Sequence, residues 1–264
     1  MQTTANGNSV YYEISGPEGA PVVMLSQSLA CSSAMWHPQV PVLEKKYRVL
    51  RYDTRGHGRS GAPGGEYSLD MLGDDAVGLM DALGIKAVHW CGLSMGGMIG
   101  QNLGLRHADR VHSLTLCDTS SRIPPEMRPV WNERIETAAS KGMAALVDST
   151  IERWFTAPYR AKNPPEVQAV RELVLKTPPA GYIGCCHAIR DLDYTGLLGR
   201  IDKPTLVIVG ADDPATPVAA AEAIAKGIPG ARLKVIANAA HISNIEQAGA
   251  FNQALSEFLA DVAR

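Results

Sequence analysis

Apolar and polar positions change rhythm repeatedly along the chain. Residues 9–14 alternate, 22–25 form a short apolar run, and 47–52 form another that ends at Asp53, so each predicts a strand. From 69 to 83 the apolar residues return every three or four positions, which predicts a helix. A buried strand is predicted at 87–91. It leads directly into Gly92-Leu93-Ser94-Met95-Gly96-Gly97, after which helical spacing runs to about Leu105. Further strands are predicted at 111–117, 204–209 and 233–236, with helices at 218–226 and 246–260. Strands that alternate with helices imply an α/β fold, a mostly parallel sheet covered on both faces.

The stretch 123–198 breaks this rhythm. It carries Trp131, Trp154, paired prolines at 124–125, 164–165 and 178–179, and helical segments with no strand between them. It reads as a helical cap inserted into a core made of 1–122 and 199–264. The 264 residues, 45% of them hydrophobic, suffice for one such core with an insertion.

Charge narrows the partners. Lys and Arg number 25 against 27 Asp and Glu, a net charge of -2, so no broad field attracts nucleic acid or an anionic membrane, and a small molecule is the expected partner. Five cysteines (Cys31, Cys91, Cys117, Cys185, Cys186) leave one over in any disulfide scheme and show no CxxC spacing, which points to a reducing cytoplasm and to no metal site. Cys185 and Cys186 read as packing residues. The opening residues show no basic and apolar leader pattern, and no run approaches the roughly 18 apolar residues of a membrane span. Oligomeric state leaves no mark on the sequence.

Chemistry concentrates at Ser94. A G-x-S-x-G directly after a strand and before a helix forms a sharp turn that exposes the serine hydroxyl, and a Cβ at 92 or 96 would crowd it. The helix amino terminus adds partial positive charge where an anion develops. A serine needs a base to take its proton. Of seven histidines, His241 follows the last predicted strand and precedes the final helix, whereas His37, His89, His107, His112 and His187 lack that position and His57, in Arg55-Gly56-His57-Gly58, reads as structural. The orienting acid should follow a strand between Ser94 and His241. Asp212 and Asp213 both do, with Asp213 chosen here and Asp118 a less suitable strand-end alternative. Two N–H donors should hold the oxyanion: that of Met95, and one from the loop Leu25-Ser26-Gln27-Ser28-Leu29-Ala30, assigned to Ser28.

These motifs resemble the 3-oxoadipate enol-lactonases, a branch of the α/β-hydrolases. The resemblance runs through the Ser26-Gln27-Ser28-Leu29 loop, Arg55-Gly56-His57-Gly58, Cys91-Gly92-Leu93-Ser94-Met95-Gly96-Gly97-Met98 and His241-Ile242-Ser243-Asn244. It continues into Glu152-Arg153-Trp154-Phe155-Thr156 and Gly184-Cys185-Cys186-His187-Ala188-Ile189-Arg190-Asp191. Gln27 departs from it, since the family commonly has Asn there. The resemblance implies an α/β-hydrolase fold with a Ser94–Asp213–His241 triad, and lactone opening through an acyl-enzyme with no cofactor. It also implies a substrate carboxylate, for which an arginine fork is suited; Arg190, Arg153 and Arg134 are candidates, with Arg190 preferred. Leu29 and Trp154 are candidate pocket walls. The same triad would serve a broad carboxylesterase or perhydrolase, which activity on neutral esters would reveal, or a slow hydrolase-fold receptor. Enzymes of this fold that use an aspartate nucleophile are excluded by Ser94.

Overall fold

The computed structural model describes residues 1–262. Its eight strands are β1 (Gln2–Ala5), β2 (Asn8–Ser15), β3 (Val22–Ser26), β4 (Arg48–Tyr52), β5 (Val88–Leu93), β6 (Val111–Cys117), β7 (Thr205–Gly210) and β8 (Arg232–Ile236). They form one sheet in the order β1-β2-β4-β3-β5-β6-β7-β8, in which β2 pairs antiparallel with both β1 and β4, and the six strands from β4 to β8 in that order run parallel to one another. Every residue of β5 and β7 is buried. Successive strand residues point to opposite faces, so both faces of the sheet are covered there, which is why these strands are mostly apolar rather than alternating.

The helices of the core are α1 (Val40–Leu43), α2 (Leu69–Ala82) and α3 (Met95–Arg106). Five more lie between β6 and β7: α4 (Arg128–Lys141), α5 (Val147–Trp154), α6 (Ala157–Ala161), α7 (Pro165–Lys176) and α8 (Pro179–Arg190). After β7 come α9 (Val218–Gly227), α10 (Ser243–Glu246) and α11 (Ala248–Val262). In the inserted group α4 packs on α8 and α5 on α7. The chain leaves the sheet and returns beside itself, with Ile123 N–H donating to Leu192 O at 3.0 Å and Tyr194 N–H to Ser121 O at 2.7 Å. The departing and returning segments thus hold each other above the carboxyl ends of the parallel strands, where open α/β sheets bind ligands.

Two sequence expectations need correction, while the strand expected at 233–236 is found as β8. The chain begins with a β1–β2 hairpin rather than a single strand: Asn6 and Gly7 have φ of 47° and 72°, the left-handed pair that a two-residue hairpin turn requires. The last helix is two, α10 and α11, broken at Gln247, whose φ of -127° and ψ of 51° lie outside the helical well. The strand at 233–236 is an exposed sheet edge with only Ile236 buried.

Candidate active site

The turn between β5 and α3 is built by what it lacks. A Cβ on Gly92 would lie 2.0 Å from Gly96 O, and one on Gly96 would lie 2.2 Å from Ser26 O. With both positions bare, the chain folds tightly enough to hold Ser94 at φ 55° and ψ -113°, a strained conformation for a side-chain-bearing residue. The peptide is pinned from outside: Ser94 N–H donates to Cys117 O at 2.8 Å, and Thr119 Oγ1 donates to Ser94 O at 2.7 Å.

His241 sits in the loop after β8. Its Nδ1 is 2.8 Å from Asp213 Oδ2, with both residues buried. Asp213 is turned inward by its own local donors: Oδ1 accepts from Ala215 N at 2.7 Å and Thr216 N at 3.1 Å, and Oδ2 accepts from Thr216 Oγ1 at 2.6 Å. Burial works to raise the Asp213 pKa, but the His241 charge and the hydrogen bonds from His241 and Thr216 outweigh it, so the carboxyl titrates below the ordinary aspartate value. Asp212 is exposed. Asp118 is buried elsewhere, accepting from Gly210 N at 2.8 Å and Ser243 Oγ at 2.5 Å; burial and the nearby Asp213 charge raise its pKa well above the ordinary value.

Ser94 and His241 open onto one cavity of about 470 Å³, which Leu29 and Trp154 also wall. The Trp154 ring lies 6.0 Å from the His241 ring between centroids. Among the described residues the Ser94 hydroxyl and His241 Nε2 close no hydrogen bond with each other, a contact that in such sites tightens as substrate binds. The Met95 N–H at the head of α3 likewise has no protein acceptor among the described residues. Ser28 lines the cavity, but its amide hydrogen is directed at Met35 Sδ, 3.3 Å away.

Arg190 does not reach this cavity. Its guanidinium bonds Asn132 Oδ1 at 3.1 Å and Asp191 Oδ2 at 3.2 Å, because the turn at the end of α8 directs it outward to those partners. Arg122, 4.0 Å from Asp193, lines the cavity, and so do two further cations, Arg134 of α4 and Arg153 of α5. Among the described residues neither of these two has a carboxylate within ion-pair distance: Arg134 lies over the Trp131 ring at 4.6 Å and Arg153 reaches only Thr150 Oγ1 at 3.5 Å. Burial and the neighbouring Arg134 charge press the Arg153 pKa below that of an ordinary guanidinium.

Two supporting residues brace the site: Glu246, which the sequence did not single out, and His57, which it read as structural. Glu246 in α10 is a buried carboxylate that accepts from Thr156 N at 3.1 Å, Thr156 Oγ1 at 2.5 Å and Ala240 N at 2.9 Å, tying the inserted helices to the histidine loop. His57 is fully buried and its Nε2 accepts from Ala30 N at 2.9 Å while Nδ1 faces Arg55 O at 3.2 Å, so the ring braces the loop after β3. That geometry requires neutral imidazole, and burial lowers the His57 pKa from 6.5 to about 4. His89, hydrogen-bonded to Ser113, is lowered in the same way to about 4. Unfolded histidines take up protons near pH 6.5 while these two stay neutral, so their stabilisation is complete above that pH and drains away as pH falls to about 4. The Tm should therefore drop between those two pH values, and His57→Gln should flatten the slope when the Tm is followed against pH by circular dichroism.

Comparison with known proteins agrees with the geometry. A family model described as alpha/beta hydrolase fold matches residues 21–248. The 3-oxoadipate enol-lactonase 1 of Acinetobacter baylyi is 38% identical over 99% of this chain and 97% of its own. The crystal structure of the enol-lactonase from Burkholderia xenovorans LB400 superposes with a TM-score of 0.95 at 43% identity, covering 98% of this chain and 100% of that one. The chain belongs to the α/β-hydrolase family, in its 3-oxoadipate enol-lactonase branch. A thermophilic esterase from Thermogutta terrifontis, solved with malate bound, is also similar, with a TM-score of 0.93 at 29% identity over 99% of both chains. For an enol-lactonase relative, the Gln27 departure is accommodated by length. With its amide nitrogen toward Tyr52 O at 2.8 Å and its oxygen toward Thr54 N at 2.8 Å, the longer side chain reaches back to the end of β4 and leaves the cavity clear. No helix among the described residues is long and apolar enough to cross a membrane.

Proposed function

We propose that this protein opens 3-oxoadipate enol-lactone to 3-oxoadipate through an acyl-enzyme on Ser94, in the cytoplasm, as a step in the breakdown of aromatic compounds. The observation that carries the reading is the cavity, in which the candidate nucleophile and base face two arginines that lack carboxylate partners among the described residues. A neutral ester needs no such pair. A lactone bearing a free carboxylate supplies the missing anion, and a guanidinium fork fits it.

In this mechanism His241 Nε2 takes the Ser94 proton as Oγ bonds to the lactone carbonyl carbon. Asp213 holds Nδ1–H and stabilises the imidazolium. The tetrahedral intermediate collapses by breaking the ring C–O bond, and the departing enol oxygen takes the proton from His241. Water, deprotonated in turn by His241, attacks the acyl carbon; Ser94 leaves with that proton, and the enol tautomerises to the ketone. The buried, unpaired cysteines suit a reducing compartment.

The test is hydrolysis of freshly generated enol-lactone, followed by its absorbance, against p-nitrophenyl acetate. Faster turnover of the lactone is the expected result; efficient cleavage of the acetate without lactone turnover would favour the esterase reading that the Thermogutta likeness suggests. Arg134→Gln and Arg153→Gln should each lower kcat/KM for the lactone roughly 10- to 100-fold, the range expected for losing a charged hydrogen bond. Both should leave acetate hydrolysis nearly unchanged.

A further inference from the structure

The loop after β3 carries three polar side chains, Ser26, Gln27 and Ser28. Two are tied into the protein. Ser26 Oγ lies 3.2 Å from Tyr52 OH, and the Gln27 amide pairs with Tyr52 O and Thr54 N. The loop itself is rigidly placed: the following residue but one, Ala30, has a φ of 60° and is held by its N–H bond to His57 Nε2. Ser28 alone is different. It is fully buried and it lines the catalytic cavity with Ser94 and His241, yet among the described residues its hydroxyl has no hydrogen-bond partner.

A buried hydroxyl without a partner destabilises a fold, so one held in this position needs an explanation. The backbone supplies it. An oxyanion site needs convergent donors, and Met95 N–H offers one, but the Ser28 amide hydrogen points at Met35 Sδ, a weak acceptor that is not part of the cavity lining. We infer that the Ser28 side chain is itself a catalytic donor: its hydroxyl completes the oxyanion hole in place of its own backbone N–H. The hydroxyl rotates freely and needs only a short O–H···O⁻ contact as the carbonyl oxygen gains charge. Its hydrogen bond therefore strengthens in the transition state more than in the ground state, which raises kcat rather than lowering KM. This inference rests on the acyl-transfer reading above, although not on the identity of the ester.

The test compares wild type with Ser28→Ala and Ser28→Thr. Ser28→Ala should lower kcat on the order of 10²-fold with KM nearly unchanged, the loss typical of one oxyanion donor. Its Tm should stay level or rise, since an unsatisfied polar group has been removed from the interior, and Ser28→Thr should recover activity by restoring the hydroxyl. Phenylboronic acid, which forms a tetrahedral adduct on an active serine, gives a readout without turnover: its Kd should rise in Ser28→Ala in proportion to the loss in kcat. Retention of kcat and boronate affinity in Ser28→Ala would overturn the inference, as would parallel loss of activity and Tm. If wild type cleaves the acetate but not the lactone, the lactone reading fails while Ser28→Ala, assayed on the acetate, still decides the role of the hydroxyl.

Discussion

Ser94→Ala should reduce kcat for the lactone on the order of 10⁶-fold, the scale of losing the nucleophile from a serine–histidine unit. Ser94→Gly should be equally inactive, and comparison of the two separates chemistry from strain. Ser94 is held at positive φ with ψ of -113°, a conformation that costs a side-chain-bearing residue about 1–3 kcal/mol. Alanine inherits that strain and glycine does not. The glycine variant should therefore melt higher than the alanine variant, by roughly 2–4 °C for each kcal/mol relieved in a domain of this size. The measurements are single-turnover lactone kinetics and calorimetry on both variants. Equal Tm values would mean that the turn is not strained at Ser94, and residual lactone turnover above a few parts per million would remove Ser94 as the nucleophile.

That turn was legible because its constraints are local. Gly92 and Gly96 are required because a Cβ at either would lie 2.0–2.2 Å from neighbouring backbone, and the flanking β5 and α3 mark the turn on both sides. Strands β3 and β7 were legible for a related reason, since burial on both faces leaves a run that is almost wholly apolar. Strand β1 was missed because Gln2, Thr3 and Thr4 lie on an open edge where nothing demands apolar residues, although the Asn6-Gly7 pair marks the hairpin. Chain order singled out His241 but left the two neighbouring aspartates alike. What separates them is that the Ala215 and Thr216 amides turn Asp213 inward, a contact that depends on the path of the turn.

The cations show the same boundary more sharply. Arg190 and Arg134 sit on packed helices, α8 and α4, and which of them faces the cavity depends on how those helices are rotated against each other. Arg190 found Asp191 beside it in sequence and Asn132 across the helix pair, while Arg134 was left beside Trp131 with no carboxylate among the described residues. A helical period cannot rank two arginines until the packing partner is known. The Ser28 hydroxyl is a further case, because its role follows from what its neighbours already bond, which no motif records.

Asp213→Asn should reduce kcat about 10⁴-fold, as expected when the residue that orients a catalytic histidine loses its charge but keeps its shape. The reason is the direction of one proton. Asp213 Oδ1 accepts from Ala215 N and Thr216 N, and these donors should hold an asparagine with its carbonyl oxygen in that place. Its NH₂ group would then face His241 Nδ1 in place of Oδ2, which now lies 2.8 Å away. Nδ1 must become the acceptor, the imidazole hydrogen moves to Nε2, and the nitrogen that should receive the Ser94 proton is occupied. Asp212→Asn, on an exposed side chain, should leave kcat within about twofold, as for surface changes distant from a site. Asp118, the acid at the end of β6, offers no replacement: Gly210 N and Ser243 Oγ hold its two oxygens, and burial disfavours its charge. Substantial activity in Asp213→Asn, abolished by adding Asp118→Asn, would transfer the orienting role to the end of β6; persistent loss with the Asp118 carboxyl intact leaves it with Asp213.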